Sequence, residues 1–261
     1  MEAKQVLTSP IDLDEEVAIK SPSIKYRISW TASSGGKATI ENDARVGIIR
    51  FPKAKRDAAA VAIQFFNDEG RRFYELEMSV LSQSEREYVH YFYPPALART
   101  MKVTLKPARD GELSIEKLAL TDQLSGKEAE CLNVHPAFEF GDLNFYGYES
   151  RDGGGIYQRP DGVTVWNTGF RGESPSFPVE PLAYYTLSCR GTGYAQRKSW
   201  LSLQCFDKDG RKPIHLIPVK FDSELVPITV QVPAGATRAN LVGYNVIVEE
   251  FKVTKAGAPA D

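Results

Sequence analysis

Three cysteines, three histidines and three tryptophans among 261 residues leave little material for several common chemistries. Cys131, Cys189 and Cys205 are odd in number and form no Cys-x-x-Cys pair, so neither a disulfide framework nor a zinc site is indicated. Cys189 and Cys205 read as buried thiols. His90, His135 and His215 are scattered, without His-x-His or His-Glu-x-x-His spacing, and no Gly-x-Ser-x-Gly elbow occurs; metal-hydrolase and serine-hydrolase readings lose their support. No uninterrupted apolar run approaches the roughly 20 residues that span a bilayer, so no membrane span is expected. A net charge of -2 gives no basic field to neutralise phosphates, which argues against nucleic acid as a partner. Met1 to Pro10 lacks the basic start, apolar stretch and small-residue site of a secretory signal. The chain as written is therefore expected to be cytoplasmic or a fragment of a secreted or cell-surface protein.

What is present is internal similarity. Ile63-Gln64-Phe65-Phe66-Asn67-Asp68-Glu69-Gly70-Arg71 reads almost like Leu203-Gln204-Cys205-Phe206-Asp207-Lys208-Asp209-Gly210-Arg211. Tyr26 to Trp30 parallels Tyr185 to Cys189, Pro95 to Arg99 parallels Pro233 to Arg238, and Ile115 to Thr121 parallels Val248 to Thr254. Four matches in one order argue for a duplicated fold of about 100 residues or more. The polar stretch Asp122 to Ala129, with Ser125-Gly126, suits a linker, which gives modules at 1–125 and 126–261. The first is abbreviated, because Cys131 to Phe177 has at most Met1 to Ser23 as its counterpart.

Short runs rich in Val, Ile, Thr, Tyr and Phe, broken by Gly, Pro and Asp, give an all-β class. Asn67 to Gly70 and Asp207 to Gly210 read as hairpin loops whose glycine supplies the positive φ. Antiparallel strands with one apolar face pack as two sheets, so the expected architecture is two tandem β-sandwich modules of jelly-roll type. Ala54 to Ala62 is the best helical candidate. Trp30 shares a strand face with Tyr26 and Ile28 and reads as core. Gly153-Gly154-Gly155 precedes a strand rather than a helix and reads as a loop, not a phosphate cradle.

Asn133-Val134-His135-Pro136-Ala137-Phe138-Glu139-Phe140-Gly141-Asp142, followed by Tyr185 to Ser188, Leu201 to Gly210 and Val232 to Ala236, covers nearly all of 131–254. In this run the second half resembles family 4 and 9 type carbohydrate-binding modules, which have a galactose-binding-like sandwich. The sequence departs from the family where Asn144-Phe145-Tyr146 stands in place of a Trp, and where Glu249-Glu250 replaces an Asp pair. The resemblance implies a non-catalytic glycan binder or an ancillary region of a larger carbohydrate-active protein. It also implies that Glu139 and Glu249 hold a structural calcium ion, with no other cofactor required.

A sugar is held by an aromatic face and by hydrogen-bonding side chains. Trp200 to Phe206 sorts by its period of two into Leu201, Leu203 and Cys205 on one face and Trp200, Ser202 and Gln204 on the other. The second face reads either as a binding strip or as Trp200 packed under a loop with Gln204 in a structural role, which Gln64 would share. Trp166, opposite two valines in Val163 to Asn167, is expected to be exposed, with Tyr157, Gln158 and Arg159 nearby. Binding candidates are thus Trp200, Gln204, Trp166, Tyr157 and Gln158. Two other readings stand beside this one: a structural module that positions a neighbouring glycosyltransferase or hydrolase domain, and a jelly-roll polysaccharide lyase with Tyr88 and His90 as acid and base.

Overall fold

The computed structural model describes residues 9–10, 15–34, 60–79, 86–106, 113–134, 148–151, 154–208 and 212–258. Among the described residues, regular structure apart from one helical turn is β-strand, as the short β-branched and aromatic runs require. The chain divides into two compact units, one reaching Leu124 and the other running on from Ser125.

Unit 1 contains β1 (Ser9–Pro10), β2 (Glu16–Ala18), β3 (Tyr26–Ser34), β4 (Ala60–Phe66), β5 (Arg72–Ser79), β6 (Arg86–Phe92), β7 (Thr100–Lys106) and β8 (Leu113–Thr121). They form two antiparallel sheets, ordered β1-β8-β3-β6 and β2-β7-β4-β5. Tyr26, Ile28 and Trp30 alternate along β3 into the core, as their spacing requires. Phe65 of β4 meets Phe92 of β6 edge-on at 6.0 Å, joining the inner faces of the two sheets. Trp30 lies flat between Tyr88, 5.4 Å away, and His90, 5.1 Å away, both on neighbouring β6.

The helical expectation for Ala54 to Ala62 is corrected where it can be seen: Ala60, Val61 and Ala62 open β4, and residues 54–59 lie outside the described residues. β4 is flanked by β5 and β7, and its first four residues are sealed on both faces. Alanine serves close packing there, and tertiary context overrides its helix propensity. The turn after β4 forms as read. Gly70 has φ +72°, and the Asn67 side-chain oxygen accepts from the amides of Glu69 (3.1 Å) and Arg71 (2.9 Å).

Unit 2 opens with α1 (Lys127–Glu130). Its strands are β9 (Glu149–Arg151), β10 (Gly155–Gln158), β11 (Thr164–Asn167), β12 (Arg171–Glu173), β13 (Phe177–Pro178), β14 (Tyr184–Gly193), β15 (Trp200–Phe206), β16 (Pro213–Pro218), β17 (Val226–Gln231), β18 (Arg238–Tyr244) and β19 (Val246–Ala256). One sheet runs β10-β11-β19-β14-β17. The other runs β16-β15-β18-β12-β9, with β13 also on β18. The inner faces carry Leu187, Cys189, Leu201, Leu203, Cys205, Leu241, Val248 and Phe251, all essentially without solvent contact. Cys189 and Cys205 are buried free thiols, as read, and burial pushes them up to about 12 and about 11. Asn133 acts as a strand edge in miniature: its amide donates to Phe251 O (2.7 Å) and accepts from Val253 N (2.9 Å), tying the segment before β9 to β19.

The two units pair their strands alike. β3 lies between β6 and β8, and β14 between β17 and β19; β4 lies between β5 and β7, and β15 between β16 and β18. A register shift follows Phe65 in β4/β5 and Cys205 in β15/β16. Arg99 N donates to Phe66 O and Thr237 N to Phe206 O, each at 2.8 Å. The second hairpin's Gly210 lies outside the described residues.

Between β14 and β19 the register jumps from Arg190↔Glu250 to Gly191↔Val248, leaving Glu249 as the extra residue of a β-bulge. The backbones approach so closely that a Cβ at Gly191 would fall 2.5 Å from Ile247 O. Gly191→Ala is therefore expected to cost about 1–3 kcal/mol, read as a lowered calorimetric midpoint. An unchanged midpoint would mean that the bulge has room to relax.

Candidate functional site

The six-stranded sheet has an inner face fixed by two glycines. A Cβ at Gly172 would fall 2.8 Å from the Trp166 ring, and one at Gly243 would fall 2.7 Å from the Thr168 side chain. Leu201 pairs with Gly243, so by alternation Trp200, Ser202 and Gln204 face outward, together with Asn240, Val242 and Tyr244 of β18 and Arg171 and Glu173 of β12. The period-two sorting of β15 therefore agrees with the structure.

Exposure divides this outer face. Ser202, Gln204 and Asn240 are 6–7% exposed and Val242 is fully covered, so the middle of the face does not meet solvent. The expected strip through Gln204 is corrected accordingly. The end of the face is different. Trp200 and Tyr244 are cross-strand partners, half-buried and stacked with ring centres 4.2 Å apart. Phe170, 56% exposed, meets Tyr244 edge-on at 5.8 Å. The Arg171 guanidinium stands 5.9 Å above the Tyr244 ring and is held by Glu173, with Nε at 2.8 Å and Nη2 at 2.5 Å. Three separated segments thus meet as one aromatic platform beside an oriented cation.

The neighbouring backbone is pinned. Gly169 at φ +58° makes the turn that projects Phe170, with its amide on Asn167 Oδ1 (2.9 Å) and its carbonyl taken by Asn245 N (2.8 Å). The segment leading into Trp200 is tied to the same Asn245. Its carbonyl accepts from Tyr194 N (3.0 Å) and Ser199 Oγ (2.9 Å), and its side-chain amide donates to Lys198 O (3.1 Å).

Trp166 is corrected. It is fully buried, donates to Ser150 Oγ at 3.0 Å and meets Tyr148 edge-on at 5.1 Å, because β11 is covered on both faces. Tyr157 lies half-buried on β10, with its partner Val165 on the face away from the core; burial first, then nearby Tyr194, raises its phenol pKa. Gln158 pairs with Thr164 in the backbone register of β10, and its side chain lies outside the described residues. Neither lies on the strands that carry the platform. Gln64, the counterpart of Gln204, donates to Glu75 (3.0 Å), whose carboxylate also binds Lys106, while Lys106 reaches Glu77 at 2.7 Å. The equivalent face of unit 1 is thus ionic around Gln64, with Lys102 5.6 Å above the Phe66 ring beside it.

Glu139 lies outside the described residues. Glu249 is engaged by Arg159 Nη1 at 2.7 Å and Arg190 Nε at 3.3 Å, so a calcium ion there would have to displace two guanidinium groups. Among the described residues no group of three or more His, Cys, Asp or Glu side chains is placed to hold a metal. Tyr88 and His90, the lyase pair, are corrected to core residues packed on Trp30, out of reach of a polymer. The residues missed in the sequence are Tyr244, Phe170 and Arg171. Phe170, a lone aromatic in the polar stretch Asn167 to Arg171, was the available signal.

No family model and no curated protein matches the chain. Among solved structures it is similar to the C-terminal family 6 carbohydrate-binding module of a marine laminarinase from Zobellia galactanivorans (14% identity, 41% of this chain, 90% of that one, TM-score 0.28). It is also similar to a carbohydrate-binding module of the β-sandwich superfamily (12%, 87% and 97%, TM-score 0.30), and to an accessory secretory protein structure from Streptococcus pneumoniae (11%, 52% and 100%, TM-score 0.31). At these TM-scores the fold rests on its own strand order. No helix among the described residues is long and apolar enough to cross a membrane.

Burial pushes the His90 imidazole down from 6.5 to about 3. Between pH about 6.5 and 3 the unfolded chain therefore binds a proton that the folded chain refuses, and stability falls as pH falls through that window. His90→Phe is expected to remove this component, up to about 1.4 kcal/mol per pH unit, in urea unfolding followed against pH. An unchanged slope would show that His90 protonates without unfolding.

Proposed function

We propose that unit 2 binds a glycan at the Phe170, Tyr244 and Trp200 platform and that the chain is non-catalytic, an ancillary region of a larger carbohydrate-active protein. The observation that carries this reading is the exposed aromatic cluster built from three segments. Its rings offer apolar faces to the C–H surface of a pyranose, while Arg171 and Glu173 border it with hydrogen-bonding groups. The resemblance of 131–254 to family 4 and 9 type modules points the same way. The matched strand pairings and the shared register shift support a tandem origin for the two units, with unit 1 having exchanged its aromatic position for Ala60 and an ionic face.

A second reading, a module that positions a neighbouring domain, is favoured by edge strand β16, where Ile214 and Leu216 are 43% and 47% exposed. A glycan array followed by calorimetry on the full chain separates the two. Trp200→Ala and Tyr244→Ala are each expected to weaken a hit on the order of 10–100-fold while the melting midpoint stays near that of the wild type. Running the titrations with calcium and with chelator tests the ion that the family resemblance implies. An array without hits would favour the positioning role.

A further inference from the structure

We infer that the glycan taken by this platform is anionic, a pyranoside chain bearing carboxylates or sulfate esters. The inference rests on the platform reading and adds the ligand's charge.

Its basis is the set of cations at the platform's rim. Val219 N donates to Leu201 O at 2.9 Å, continuing the β15/β16 register one residue beyond Ser202↔Pro218. The next position places Lys220 beside Trp200. Val219 is buried on the inner side and Lys220 is exposed, so Lys220 shares the outward face of Trp200. On the opposite flank, Lys198 is fixed by the bond from Asn245 Nδ2 to its carbonyl, one residue from Tyr244. Arg197 is fixed by its amide bond to Tyr194 O (3.1 Å) and by its carbonyl, which accepts from Ser199 Oγ (3.2 Å). Arg171 completes the ring above Tyr244.

Several cations elsewhere in the unit are neutralised by carboxylates, while exposed Lys208 and Lys212, at the end of the β15/β16 hairpin away from Trp200, have no carboxylate partner among the described residues. Arg159, Arg190, Lys252 and Lys255 each have a carboxylate partner. Arg197, Lys198 and Lys220 are exposed and have no carboxylate partner among the described residues, while Glu173 of the same sheet is engaged by Arg171. Asp222 and Glu224 follow Lys220 in sequence, but the chain there turns to the other sheet, where the Asp222 backbone pairs with that of Arg190 in β14 and its side chain accepts from Ser223. Backbone bonds fix where Arg197 and Lys198 leave the main chain, and their exposed side chains, like that of Lys220, remain free to turn toward an anion seated on the rings.

The test is calorimetry of the full chain with an oligogalacturonate, a sulfated galactan fragment and neutral oligosaccharides of equal length, at low and at 0.5 M salt (roughly a 4 Å screening length). The expected result is preference for one or both anionic probes, weakened by salt. Lys198→Gln combined with Lys220→Gln should weaken that binding roughly tenfold and flatten the salt dependence, and Trp200→Ala should weaken it as well. Which probe binds identifies carboxylate or sulfate. Equal, salt-independent binding of neutral probes would overturn the charge inference and leave the platform standing. Binding of acidic probes that Trp200→Ala does not touch would overturn it too, as charge acting away from the rings. Failure of every probe to bind would overturn both.

Discussion

The Trp166 ring lies against the bare Cα of Gly172, and the geometry of unit 2 follows from that contact. Only a residue without a side chain lets β12 approach so near, since a Cβ would stand 2.8 Å from the ring. The two residues belong to different sheets and are joined by the turn that carries Phe170 and leads to Arg171. Filling the core with Trp166 therefore also sets where an exposed aromatic and a guanidinium emerge on the surface. Ser150 takes the indole N–H at 3.0 Å, so the ring is buried without leaving a donor unsatisfied.

Trp166 and Trp200 show what a single strand pattern can and cannot tell. Both alternate with aliphatic residues, and alternation correctly sorted the faces of β15. It could not say whether the outward face would be covered. Trp166 sits on a strand enclosed on both sides, and Gln204 sits in the covered middle of its face, whereas Trp200 sits at a strand end. The all-β class, the first hairpin, the Trp30 core and the buried thiols were legible because each depends on residues near in sequence. Tyr244 became a platform residue through its pairing with Trp200, a register relation 44 residues apart that periodicity does not encode. The pairing of Glu249 with Arg159 and Arg190 depends on a bulge that places Glu249 and Glu250 near one arginine, and no local pattern announces it.

The contrast between the units is chemical more than topological. Corresponding strands carry Gln64 and Gln204 at corresponding positions, yet Gln64 belongs to a lattice of Glu75, Lys106 and Glu77 that satisfies itself. Such exposed pairs contribute little to stability individually, but they occupy the middle of the face that Gln64 shares. Unit 2 keeps its ion pairs chiefly on the opposite sheet, around Glu249 and Glu250, and leaves rings and unpaired cations at one end of the other.

Two of the three tryptophans, Trp30 and Trp166, are sealed from solvent, and Trp200 alone meets it. The indole emission reached by an aqueous collisional quencher is thus confined to one ring, and that ring belongs to the platform. The protein carries its own optical label at the place where a ligand would sit, with the other two indoles as a shielded internal standard.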